Sequence, residues 1–197
     1  QKIQSCRHRS DRQCLQEDEY NVRLLKGNHE DYLLRLFDNE VQGPRFFGIP
    51  VKNKFKKEWI KHGGRETLQS FKVQDVQQIP EKYIKWFRKL EYFMETEEAF
   101  LMHAGFNFDD NDPFTDKHSM LWIKDFKVIP EKVKHKKVIH GHVPVSLDFI
   151  DLAKSTSKFD FIDLDNGVYM DSKDGFGHLT ALELNSRELL IQSNQDL

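Results

Sequence analysis

Apolar and polar positions along the first twenty residues follow neither strand nor helix period, with basic His8, Arg9 and Arg12 ahead of acidic Glu17, Asp18 and Glu19. That pattern predicts an atypical polar leader over 1–20. Val22-Arg23-Leu24-Leu25 then reads as a short strand stopped by Gly27, and from Glu30 the apolar positions Leu33, Leu34, Phe37 and Val41 recur at helical spacing up to Gly43-Pro44. Residues 50–95 read mainly as helix. The stretch around Trp59 runs into Gly63-Gly64, a helix stop. Pro80-Glu81 opens a further helix, because Pro fits a first turn and Glu suits the N-terminal end of the helix dipole. Its apolar stripe is Tyr83, Ile84, Phe87, Leu90 and Phe93, and aromatics at that spacing read as core.

Beyond residue 98 the pattern changes to short apolar runs at 99–102, 138–139, 159–164, 167–170, 179–184 and 189–191, each of strand length. Asn185-Ser186 turns the last two into a hairpin. Helices with buried strands, then a meander of strands, predict one layered α/β domain over 21–191, its 43–98 part mainly helical.

Composition narrows the class. A chain of 197 residues suffices for one domain with a full core, and no linker splits it. Hydrophobic residues at 38% and sixteen Phe against six Pro argue for a packed interior and against disorder. A net charge of -2 gives no basic field for nucleic acid, and the basic run 52–61 reads as a solvated helix face. Cys6 and Cys14 are too few for a disulfide framework, which predicts a reducing, cytoplasmic setting. No apolar stretch reaches the roughly 20 residues that span a bilayer, so no membrane partner is expected. The chain opens on Gln1 without an initiator Met and carries no signal-peptide pattern, as a processed or truncated product would.

The candidate chemistry lies where apolar runs end. Three times such a run stops in His beside Gly: Leu24-Leu25-Lys26-Gly27-Asn28-His29, Phe100-Leu101-Met102-His103-Ala104-Gly105 and Val138-Ile139-His140-Gly141-His142. Ligands of open α/β sheets bind at the carboxyl ends of strands, where glycines let the backbone turn tightly. Three strands presenting imidazole at one edge can converge on one metal. Imidazole and oxygen donors without a nearby Cys suit Mn, Fe, Zn or Ni. Ions of that kind polarise phosphoryl oxygens and activate water.

Gly27-Asn28-His29-Glu30, His103-Ala104-Gly105 and Gly141-His142 resemble the later signature motifs of the calcineurin-like metallophosphoesterases. Within that superfamily the chain is most similar to bacterial serine/threonine phosphoprotein phosphatases, with symmetrical diadenosine tetraphosphatases close behind. Three connecting segments extend the likeness over residues 20–191: His62 to Phe71, Ser119 to Lys124, and Asp163 to Tyr169 followed by Gly177 to Thr180. The resemblance implies a layered α/β/β/α sandwich and two-metal hydrolysis of a phosphomonoester, by metal-activated water, on a phosphoprotein or small phosphoester. It implies Asn28, His103 and His142 as ligands of the second of two divalent ions, His29 as general acid to the leaving alkoxide, and Lys124 at a phosphate-binding position. Imidazole titrates near neutral pH, which suits the acid role. His140 is left as structural; His62, His118, His135 and His178 are left to surface or packing roles.

The family's first metal is held through Gly-Asp-x-His-Gly and Gly-Asp-x-x-Asp-Arg-Gly blocks, and neither precedes Gly27. Asp11-Arg12 has a partial likeness to the second, with Gln13 in place of Gly. The expected fold therefore lacks its first βαβ unit, and ligands for only one metal are evident. Lys124 stands where an arginine is expected, keeping the charge without the bidentate fork. Dinucleoside polyphosphate hydrolysis and a catalytically inactive remnant are the alternatives.

Overall fold

A computed structural model of the chain describes residues 22–38, 45–46, 49–50, 54–170 and 172–195. The expected leader, Val41 and the partial likeness at Asp11-Arg12 lie outside the described residues. The first helix, α1 (Asn28–Phe37), begins where Gly27 is extended and its N–H donates to Glu30 Oε2 at 2.8 Å, with Glu30 and Asp31 in the first turn and Arg35 in the last. It buries Leu33, Leu34 and Leu36.

Strands β1 (Arg45–Phe46) and β2 (Ile49–Pro50) form a minimal antiparallel pair. Helices α2 (Lys54–Trp59), α3 (Arg65–Phe71) and α4 (Glu81–Lys89) follow. Gly63-Gly64 does not stop the helical run. The chain kinks at His62 and Gly63, the latter at φ 93°, and resumes at Arg65. Gly64 lies against the Trp59 indole so closely that a Cβ would collide with the ring. Trp59, Leu68, Val76, Ile79 and Ile84 join the α1 leucines in a helical core.

A four-stranded sheet carries the rest, in the order β3 (Phe93–Glu95), β4 (Ala99–Met102), β5 (Lys137–His140), β6 (Phe161–Asp163). β3 is antiparallel to β4, while β4, β5 and β6 run parallel, with Leu101 opposite Ile139 and His140 opposite Asp163. Phe93 thus belongs to a strand rather than to the preceding helix stripe: α4 ends at Lys89 because Leu90 is extended. The 43–98 region accordingly holds three short strands as well as its helices.

Both faces of the parallel strands are apolar, as burial on two sides requires. Phe100, Met102 and Val138 face a second core with Phe106, Met120 and Val133. Ala99, Ile139 and Ile162 face the other way, under Leu182 and Leu184. Those leucines belong to and follow β7 (His178–Leu182), which pairs with β8 (Leu189–Ser193) as an antiparallel hairpin, and α6 (Leu147–Ser155) packs beside β6. The result is a mixed α/β fold in layers, with a mostly parallel sheet between an aromatic-rich core and a hairpin.

Two expected strands are absent. Val22-Arg23-Leu24-Leu25 reaches the sheet only through one parallel bridge, Leu25 to Glu91, fastened by Arg23 Nε donating to Glu91 Oε1 at 3.0 Å. The run 167–170 is a turn closed by Met170 N–H donating to the Gly167 carbonyl. Gly167 adopts φ +62°, which breaks strand geometry, and Val168 and Tyr169 point to solvent. Among the described residues no helix is long and apolar enough to cross a membrane.

Candidate metal centre

Three chain segments end together. Asn28 opens α1 and is buried; His103 follows β4; His142 follows β5. Asn28 Oδ1 stands 3.0 Å from His103 Nε2, which stands 3.1 Å from His142 Nδ1. The parallel pairing of β4 with β5 produces this meeting, and Gly141 N–H donating to the His103 carbonyl at 2.9 Å fixes the two strand ends. Gly27 allows the approach, because a Cβ there would sit 3.4 Å from His103 Nδ1 and 3.0 Å from Glu30 Oε2.

The cluster is poorly served by hydrogen bonds alone. Asn28 Oδ1 offers only lone pairs, and His103 Nε2 carries at most one proton for two neighbours. His142 Nε2, the ring nitrogen other than the Nδ1 that faces His103, is buried without a hydrogen-bond partner among the described residues. His142 also holds φ 79°, a left-handed backbone that a non-glycine residue adopts at a cost of about 1 kcal/mol or more. Cis donors about 2.1 Å from one octahedral ion lie about 3.0 Å apart, so the observed spacings fit a shared divalent ion.

Electrostatics point the same way. Burial, and then the positive charge that His142, His29 and His140 would carry, depresses the His103 pKa to about 4. Burial, with Lys124 next, also lowers that of His142. Both rings are therefore held neutral, the state a metal ligand needs. Among the described residues no three His, Cys, Asp or Glu side chains cluster as a metal site. The convergent set is two imidazoles and an amide, with no carboxylate.

His29 and Lys124 are exposed, and each acts electrostatically on His142. They flank the cluster from α1 and from the segment after α5 (Ser119–Trp122). Trp122 walls the site, with Nε1–H donating to Asp31 Oδ2 at 3.0 Å and its ring edge-on to Tyr32.

Two buried charged residues near the cluster were not among the expected site residues. Asp163 is buried beside His140, its Oδ2 3.8 Å from His140 Nδ1, and burial pushes its carboxyl up to about 7. His140 itself is depressed to about 4, chiefly by burial, and packs against the Phe126 and Phe161 rings with Nδ1–H donating to the Gly141 carbonyl. Lys26, immediately before Gly27, is buried as well, which lowers its pKa. Among the other histidines, His62 and His135 are exposed, His118 stacks on Trp122, and His178 meets Asn166 Oδ1.

No family model, no curated protein and no solved structure matches the chain.

Proposed function

We propose that the chain is a metal-dependent phosphomonoesterase of the metallophosphoesterase kind, hydrolysing phosphoserine or phosphothreonine in proteins or small phosphoesters. The observation that carries this reading is the meeting of Asn28, His103 and His142 at donor spacings of 3.0 and 3.1 Å. These residues would hold one divalent ion, Mn, Fe, Zn or Ni by donor type. Bound there, such an ion supplies charge neutralisation at a phosphoryl oxygen and lowers the pKa of water.

The chain's own groups then divide the remaining work. His29, exposed one residue from Asn28, delivers a proton to the leaving alkoxide oxygen. Lys124 holds phosphate oxygens as a point charge rather than a fork. The Trp122–Asp31 bond keeps the wall beside His142 rigid, so a bound phosphate is oriented rather than merely attracted. The mixed α/β fold with its mostly parallel sheet is compatible with an α/β/β/α sandwich.

A second reading has its own observation: the donor set is neutral and holds no carboxylate among the described residues. A chain of that kind binds metal without turnover, as an inactive member of the class. Manganese-dependent hydrolysis of p-nitrophenyl phosphate separates the two. The enzyme reading predicts turnover that falls about 100-fold in His29→Ala with bound manganese unchanged. Metal binding without turnover would favour the inactive reading. Comparing a phosphopeptide with diadenosine tetraphosphate assigns the substrate rim.

A further inference from the structure

Lys26 is 4% exposed, yet among the described residues no carboxylate ion-pairs with its ammonium. Burying an unpaired cation is costly, and a lysine so placed calls for a counter-charge. Among the described residues the ammonium has one polar partner, the Tyr92 hydroxyl, whose oxygen accepts from Lys26 Nζ at 3.5 Å.

Tyr92 gathers a second cation. Lys26 Nζ lies 4.6 Å and Lys117 Nζ 5.1 Å from the centre of its ring. Among the described residues Lys117 also lacks an ion pair, although other charges of the neighbouring cleft are matched: Arg23 with Glu91, and Glu95 with Lys134 and Lys136. Lys117 and Tyr92 line that open cleft, of ≈ 380 Å³, with Phe114 and Met120. The Tyr92 oxygen receives Lys26 through a lone pair, which leaves its O–H proton without an acceptor among the described residues. Among the described residues the two ammoniums thus lack a counter-charge and the hydroxyl proton lacks an acceptor.

We infer that Lys26, Lys117 and the Tyr92 hydroxyl form a binding site for a phosphate-type oxyanion. Charge selects this class. A dianion near neutral pH matches both lysines, whereas a single carboxylate leaves one of them uncompensated. Lysine binds phosphate as a point charge, and a hydroxyl donating to an anionic oxygen is among the stronger hydrogen bonds. The site uses none of the proposed metal-binding or proton-donating residues and does not depend on the phosphoesterase reading. Free phosphate and a phosphate ester share the chemistry and differ in what projects from the cleft.

The test is calorimetric titration of the EDTA-treated chain with inorganic phosphate and with O-phosphoserine, paired with thermal melts. Phosphate is expected to bind and to raise Tm, because it stabilises the folded state alone. Lys117→Gln and Tyr92→Phe should each weaken binding about tenfold, the loss of one charge-assisted contact. Lys158→Gln, which removes an exposed lysine outside the cleft, should leave the affinity within about twofold of wild type. Lys26→Met should melt higher than wild type without phosphate and show no phosphate-induced rise. Equal affinity for both ligands marks the free ion as the ligand; tighter binding of phosphoserine marks an ester. A wild-type Tm that does not move with millimolar phosphate overturns the site, and so does an equal rise in Lys117→Gln. Lys117 is exposed, so that variant decides even if Lys26→Met does not fold.

Discussion

His140 and Asp163 show how single residues here oppose one another in acid. The histidines at 103 and 140 are depressed to about 4, so their contribution is complete above the ordinary imidazole range and is lost as pH falls toward 4. Asp163 is raised to about 7, so its contribution is complete below the ordinary carboxylate range and is lost as pH rises through 7. In the wild type the two trends partly cancel between pH 4 and 7. Asp163→Asn removes the second, so denaturation of the metal-free variant should show stability falling steeply on acidification. Relative to wild type it should gain as pH rises from 4 to 8, by at most a few kcal/mol. A pH-independent difference would show that the Asp163 carboxyl is not raised. The convergence of Asn28, His103 and His142 was legible in the sequence because each follows an apolar run beside glycine. Asp163 and Lys26 were not, because their burial depends on partners far along the chain, His140 across β5–β6 and Tyr92 beside β3.

At the scale of elements, the turn after β4 couples the candidate metal centre to the aromatic core. Gly105 is buried against Phe126, whose ring also packs edge-on to His140. A Cβ at 105 would run into that ring. Gly105→Ala should therefore destabilise by about 1–3 kcal/mol through overpacking, read as a lower midpoint in urea at unchanged slope. A midpoint equal to wild type would mean that Phe126 yields freely. The same scale explains which strands the sequence marks. The run 99–102 is a strand over those very residues because both of its faces are buried, leaving an unbroken apolar signal. The run 167–170 is equally apolar but opens on a glycine in left-handed geometry, and its Val168 and Tyr169 cover nothing. Hydropathy alone does not separate those two cases. Likewise Gly63-Gly64 carries the signal of a helix stop, yet tertiary packing on Trp59 turns it into a kink.

For the whole molecule, the parallel order β4-β5-β6 places the ends of β4 and β5 together, and α1 brings Asn28 to meet them. The layered α/β class was legible from the succession of helices and short strands; the depth of each layer was not, because hairpin leucines such as Leu182 find their partners only on folding. We propose that this edge holds a divalent ion. Equilibrium dialysis of the chain against manganese, with Asn28→Ala, His103→Ala and His142→Ala alongside, measures it directly. Saturable binding by the wild type is expected, weakened about 10-fold or more by each substitution, with the folded circular-dichroism spectrum retained. Manganese bound equally by the three variants, or not bound by the wild type at all, would contradict it.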